Sequence, residues 1–239
     1  MKKIFFILIT LIFTIGCDNR KVEKQAVLNP KVEKGNKTKS FICEEEFIDS
    51  LNIGVRDQFK LDIKKYRNLD SIYVKIIFFE MINGKWNINQ NFTFLKDGLT
   101  DCDVEIKDFN NDGLNDMTFQ SSVSARGGNV IRKLFIFDKL KRELKYIKNS
   151  ENFPNLRYNK DLNCLDAFRI YGGTQTAFMK IRKDTLWEFA SVELFNNRIT
   201  IVEKNENGIE NKIKDDKFEK DNYMRFRNYN PLIECETEY

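Results

Sequence analysis

The chain has 239 residues, with 40 basic and 36 acidic side chains, a net charge of +4, 21 phenylalanines and no histidine. Without an imidazole there is no Ser-His or Cys-His nucleophile pair and no His-ligated zinc, and the near balance of charge leaves no footprint for a nucleic-acid partner. Hydrolysis by paired carboxylates survives this test, but no two acidic residues stand out as a pair, so no catalytic residue is assigned and the expectation is a protein that is not an enzyme.

At the start of the chain, Lys2 and Lys3 precede an apolar run from Ile4 to Ile15, followed by Gly16 and Cys17. A basic head, a short apolar run and a small residue before the cut describe a secretory signal, and the run is too short to span a bilayer. Gly16-Cys17 resembles a bacterial lipobox, although Thr14 stands where that pattern usually has Leu, Val or Ile. The resemblance implies acylation of Cys17 as the mature N-terminus; the alternative is an ordinary cleaved signal. The expected address is therefore the bacterial cell envelope, lipid-anchored, facing the periplasm or on the cell surface. Removing residues 1–16 takes away Lys2 and Lys3, which leaves 38 of the 40 basic residues against 36 acidic ones. Residues 17–40 form the acylated terminus and a Lys-, Glu- and Asn-rich stretch without periodicity, expected to be a disordered tether.

Residues 41–239 are expected to form one β-rich domain. Phe47 to Tyr66 has a helical phase interrupted by Gly54. Ser71 to Ile82 is dense in β-branched and aromatic residues, Asn83-Gly84 is a hairpin turn, and Trp86, Ile88, Phe92 and Phe94 stand at even spacing on the return strand. Val104 and Ile106 lead into a polar loop, and Met117 and Phe119 lead out of it. Ile131 to Phe137, Leu144 to Ile147, Ala167 to Tyr171, Ala177 to Ile181, Leu186 to Phe195 and Ile199 to Val202 read as further strands. Their breaks fall at Asp138-Lys139, Gly172-Gly173, Lys183-Asp184 and Asn196-Asn197. The tail from Ile213 to Arg227 is compatible with a solvated helix or an irregular strand. Turns about every ten residues suit an all-β, mainly antiparallel fold, propeller-like or sandwich-like.

The polar loop, Asp108 to Asp116, reads D-F-N-N-D-G-L-N-D. Asp108, Asn110 and Asp112 place oxygens on alternate positions, Gly113 permits a sharp reversal, and Asp116 returns another carboxylate. The Leu114 carbonyl is the natural fifth donor. Such a set suits Ca²⁺, which takes six to eight hard oxygens. The loop is not an EF-hand, because Phe119 occupies the twelfth position where that motif has Glu. The alternative is a metal-free turn built by Asx side chains.

Four cysteines besides Cys17, namely Cys43, Cys102, Cys164 and Cys235, are widely spaced. In an exported chain this favours disulfides, with three possible connectivities. Cys43 with Cys235 and Cys102 with Cys164 is the preferred pairing; buried free thiols are the alternative.

The loop leading into a strand, Gly127-Gly128-Asn129, the run Leu134-Phe135-Ile136-Phe137-Asp138 and Tyr171-Gly172-Gly173 together resemble the XAC2610-related, FG-GAP-like family of bacterial envelope proteins, over residues 103–193. The resemblance implies a calcium-binding, propeller-like β domain whose ligands are Asp108, Asn110, Asp112, Leu114 through its carbonyl, and Asp116. One intact loop argues against a full multi-bladed array. The expected function is a non-enzymatic envelope lipoprotein with structural Ca²⁺, anchored to the membrane by its lipid and binding an envelope protein. The alternative is a lysozyme inhibitor protecting peptidoglycan, for which Arg126 in Ser121–Asn129 is the binding-loop candidate. A carboxylate-based hydrolase comes third.

Overall fold

The computed structural model describes residues 41–220 and 223–235. The signal, Cys17 and the tether lie outside the described residues, and the described residues fall in one compact unit. Sixteen strands form three antiparallel meanders and a closing hairpin. The first sheet holds β1 (Ile42–Asp49), β2 (Phe59–Arg67), β3 (Ile72–Ile82) and β4 (Lys85–Leu95). The second holds β5 (Glu105–Lys107), β6 (Asp116–Ser124), β7 (Asn129–Asp138) and β8 (Glu143–Ile147). In the third are β9 (Arg157–Asn159), β10 (Cys164–Ile170), β11 (Thr174–Arg182), β12 (Thr185–Phe195), β13 (Arg198–Lys204) and β14 (Glu210–Lys217). β15 (Phe226–Tyr229) pairs with β16 (Leu232–Glu234). The class is all-β and sandwich-like, as expected, and no sheet closes into a barrel.

Tight turns make the meanders. Asn83 and Gly84 take φ of +51° and +74°, joining β3 to β4 with Ile82 opposite Lys85. Asn196 and Asn197 are left-handed too, at +49° and +56°. Two successive left-handed residues are the turn geometry that matches strand twist, and Asn and Gly adopt it at least cost.

The sheets stack face to face. Phe59, Leu61, Ile63, Val74, Ile76 and Phe78 of the first sheet meet Met117, Phe119, Phe135 and Phe137 of the second. Phe59 and Phe137 make an edge contact at 4.8 Å between ring centres, and Phe92 and Phe135 another at 5.2 Å. The opposite face of the second sheet supplies Leu134, Ile136 and Ile147, which pack with Leu165, Ala167, Ala177, Met179 and Leu186 of the third. The far face of the third sheet, with Phe178, Val192, Leu194 and Ile201, is covered by Phe226, Tyr229 and Leu232. β7 is therefore buried on both sides, which is why Leu134 to Phe137 is an unbroken apolar run.

Side-chain amides stitch the layers. The Gln90 amide donates to the Leu144 carbonyl at 3.1 Å and accepts the Leu144 N–H at 2.7 Å. Asn129 makes the same two-bond clasp on Ile170, both at 2.8 Å. Asn149 clasps Leu186 at 2.8 and 2.7 Å. Each amide imitates a neighbouring strand on the side where that peptide has none. At the C-terminal end the fully buried Asp166 accepts from Arg225 Nε at 2.8 Å, Arg157 Nε at 3.2 Å and Asn159 Nδ2 at 2.9 Å. This cluster ties the hairpin to the third sheet.

Three expectations are corrected, and the tail, open between helix and strand, takes the second form. Phe47 to Tyr66 is no helix: β1 ends at Asp49, whose carboxylate accepts the Asn52 and Ile53 N–H groups at 2.9 Å, and β2 then alternates with Phe59, Leu61 and Ile63 inward. Of the two alternatives for the tail, strand is what its described residues show, in β14 and at the start of β15. The even spacing in β4 does not share one face. Phe78 pairs with Gln90 while Phe79 pairs with Ile88, so Asn89 is a bulge residue. Trp86 and Ile88 are sent to the outer face, and Phe92 and Phe94 to the core. The third correction concerns the four described cysteines, which are free thiols. Cys102 belongs to the core between the first two sheets and Cys164 to the core under the C-terminal hairpin, so packing separates that expected pair. Burial pushes both thiols up to about 12. Cys43 Sγ faces the Glu45 carbonyl at 3.6 Å, and Cys235 Sγ accepts from Arg157 Nη2 at 2.8 Å.

Replacing Gln90 with Ala leaves the Leu144 peptide without either partner. Urea denaturation of Gln90→Ala is expected to show a loss of about 1–3 kcal/mol, the usual cost of unmade buried hydrogen bonds. An unchanged midpoint would remove the amide clasp from the account of layer stability.

Candidate metal centre

The Asp108–Asp116 loop joins β5 to β6 at the seam between the sheets. Phe109 anchors it by plugging the core between the second and third sheets, where it is 1% exposed. Sequence reasoning passed over this residue. The signal that marks it is its position as the sole aromatic within a polar run. On the other side, the Gly54 N–H donates to the Asn115 carbonyl at 2.9 Å, and Asn115 Nδ2 donates to the Asn52 carbonyl at 3.0 Å. Gly54 lies in a left-handed conformation with its α-carbon close to Phe137, so a Cβ there would meet the ring at 3.0 Å. The loop is thus pinned from both neighbouring layers.

Inside the loop, backbone N–H groups converge on Asp108. Its Oδ1 accepts from Asn110, Asn111 and Asp112 at 3.2, 2.6 and 3.2 Å, and its Oδ2 accepts from Gly113 at 2.8 Å. Gly113 has φ of +83°, which a side chain would resist. Asn110 Oδ1 accepts the Asp112 N–H at 3.1 Å, and Asp112 Oδ1 accepts the Leu114 N–H at 2.8 Å. Asp116 turns inward: Oδ2 accepts from Phe109 at 2.9 Å and Oδ1 from Phe137 at 2.8 Å. It clamps the loop and β7 onto the start of β6 and has no exposed surface.

The donor set is all hard oxygen, and none of Asp108, Asp112 and Asp116 has an ion-pair partner among the described residues. Burial pushes the Asp116 carboxyl up to about 7; the Phe137 and Phe109 N–H groups oppose this, and the negative charges of Asp112 and Asp108 add to it. In chemistry and charge the loop fits a dication held by Asp108, Asn110, Asp112, the Leu114 carbonyl and Asp116. In placement its oxygens are turned to N–H groups, and among the described residues no three His, Cys, Asp or Glu side chains are gathered as a metal cluster. Asp108, Asn110, Asp112 and Leu114 share the loop, while Asp116 is aimed at the core.

Arg126 stands apart from this centre. It occupies the 3-10 turn Ala125–Gly127 between β6 and β7, exposed, with φ of +56°. Gly128 beside it lies against Ile170, where a Cβ would come to 3.2 Å of Cδ1.

No family model matches the chain, and no curated protein matches it. Among solved structures it is similar to a Xanthomonas type IV secretion system related protein, at 10% identity and a TM-score of 0.45, covering 74% of this chain and 98% of that one.

The Asp116 carboxyl gives a pH signature. Its folded value lies above the ordinary carboxylate range, near 3.9 in an unfolded chain, so the folded state holds the proton more tightly. Asp116 is therefore best accommodated below about pH 4, and the fold loses stability as pH rises from there through about 7. In chelator, unfolding free energy is expected to fall across this window, and Asp116→Asn is expected to be less stable at low pH but to lack that slope. A wild-type slope that survives in the variant belongs to another group.

Proposed function

We propose that this chain is a non-enzymatic, lipid-anchored binding module of the bacterial cell envelope whose Asp108–Asp116 loop takes Ca²⁺ as a structural ion. The observation that supports the ion is three carboxylates within nine residues, one of them fully buried, with no basic side chain paired to any of them. A dication offsets their mutual repulsion and lowers the cost of keeping Asp116 ionised. Asp108 would release part of its N–H contacts and share oxygens with Asn110, Asp112 and the Leu114 carbonyl. The ion's role is mechanical, since the same loop is fastened to the first sheet by Asn115 and to β7 by Asp116. Lipid anchoring rests on Cys17 and the apolar run before it, which lie outside the described residues.

Calcium is expected to raise the thermal midpoint, by an amount equivalent to about 2.7 kcal/mol when its concentration is a hundred times Kd. Asp112→Ala is expected to abolish the increment while leaving the chelator midpoint nearly unchanged. Calorimetry that records no shift at saturating Ca²⁺ removes the metal from the reading.

A finer reading, inhibition of a lysozyme, is favoured by one observation: Arg126 is an exposed cation at a hairpin tip, held in a left-handed conformation and without an ion pair among the described residues. A guanidinium so presented is suited to the carboxylates of a muramidase cleft. Cell-wall turbidity assays are expected to show slower lysis with excess protein and restored lysis with Arg126→Glu. Undiminished lysis across lysozyme classes would rule this reading out.

A further inference from the structure

The outer face of the first sheet sets bulky apolar residues among lysines and carboxylates, where a one-sided antiparallel sheet is normally polar. Register places Ile48, Asp62 and Ile77 in one row across β1, β2 and β3, Lys60, Phe79 and Ile88 in the next across β2, β3 and β4, and Met81 opposite Trp86 beyond them. Ile48 and Ile88 are 57% and 62% exposed, and Ile77, Phe79, Met81 and Trp86 are half-buried. The bulge at Asn89 is what turns Trp86 and Ile88 outward. Among the described residues, nine of the sixteen exposed large apolar side chains lie between Phe41 and Leu99, so the exposure is concentrated in this sheet and its flanks. Within the patch, Asp62 Oδ1 is buried without a hydrogen-bond partner, the one such side-chain atom among the described residues.

The charges on this face indicate what covers it. Lys60 Nζ is held over the rings of Phe79 and Trp86, at 4.1 and 5.5 Å from their centres. Among the described residues neither Lys60 nor Lys75 has a carboxylate partner, and Lys75 stands directly opposite Lys64, a like-charge pair that disfavours the isolated sheet. Lys64 itself is paired with Glu46 at 2.8 Å and Asp62 at 3.3 Å. Aliphatic side chains, a tryptophan and unpaired lysines on one surface suit a layer that is apolar below and anionic above, which is the headgroup boundary of a membrane containing acidic phospholipid. A second copy of the same face would instead bring two sets of unpaired lysines together. Chain connectivity agrees: β1 is the strand of this sheet that leads back to Cys17, and the 24 residues from Cys17 through Ser40 reach at most about 86 Å.

We propose that the outer face of the first sheet docks on the anionic phospholipid surface to which the chain is anchored, with Trp86 and Ile88 at the headgroup boundary and Lys60 and Lys75 on lipid phosphates. The inference rests on the envelope lipoprotein reading, and the experiment separates the two. The full chain carrying Trp187→Phe, so that Trp86 is the single tryptophan, is purified from a bacterial host and its Cys17 acylation is read by mass spectrometry. Acylated chain is then reconstituted in phosphatidylglycerol-containing vesicles and in phosphatidylcholine vesicles; if the chain proves unacylated, the anchor reading fails and the same vesicles are titrated with the free protein. In either form, Trp86 emission is expected to shift to the blue and to be quenched by brominated acyl chains in the phosphatidylglycerol vesicles. Ile48→Lys with Ile88→Lys, and separately Lys60→Glu with Lys75→Glu, are expected to lose most of that quenching while keeping the melting midpoint. Trp86 that stays open to aqueous quencher and untouched by brominated lipid overturns the proposal. So does Trp86 shielded from both quenchers together with cross-linking between copies, which assigns the face to a second chain.

Discussion

Burial of β7 on both faces is the constraint from which the rest of the architecture follows. A strand with Phe135 and Phe137 in one core and Leu134 and Ile136 in the next commits its sheet to the middle of a stack, and the neighbouring meanders must then turn apolar faces toward it from both sides. A stack of separate meanders has many strand ends and edges within or near apolar layers, where unpaired peptide groups are expensive. The amides of Gln90, Asn129 and Asn149 answer that problem locally. They also explain how sheets with no strand in common are held in register with one another.

The polar loop uses the same economy of hydrogen bonds in a different way. Asp108 gathers the loop's own N–H groups, and Asp116 reaches out of it to a peptide of β7, so one carboxylate shapes the reversal and the other fastens it to the central strand. This division makes the loop stiff before any ion is considered. It also places negative charge at a junction of three layers, so any change in that charge is felt by the core and not only by the surface. Arg126 lies at the opposite kind of place, a hairpin tip whose geometry is set by Gly128 against Ile170.

Much of this was legible in the residues, and what was not has identifiable causes. Turn pairs such as Asn83-Gly84 and Asn196-Asn197 announce themselves because few residues tolerate left-handed backbone, and the run Leu134 to Phe137 is apolar throughout because neither face meets water. Phe47 to Tyr66 misled because an Asx turn at Asp49 and a strand rich in lysine imitate a helical phase. β4 misled because one bulge residue, Asn89, shifts the alternation halfway along, and no residue type marks that position. The members of the metal loop were visible by spacing, yet the inward turn of Asp116 depends on the Phe137 peptide, 21 residues away. The amide clasps are invisible for the same reason: an asparagine in sequence does not reveal which distant peptide lacks a neighbour.

The ion cluster around Asp166 ties two closures into one. Arg225, which reaches that carboxylate, and Phe226, which covers the far face of the third sheet, are adjacent residues. Peeling the β15–β16 hairpin away would therefore bare the oily flank of Phe178, Val192 and Leu194 and strip a buried acid of a cationic partner in the same step. A latch of this kind opens as a unit, guarded by a cost that neither the oil nor the charge would impose alone.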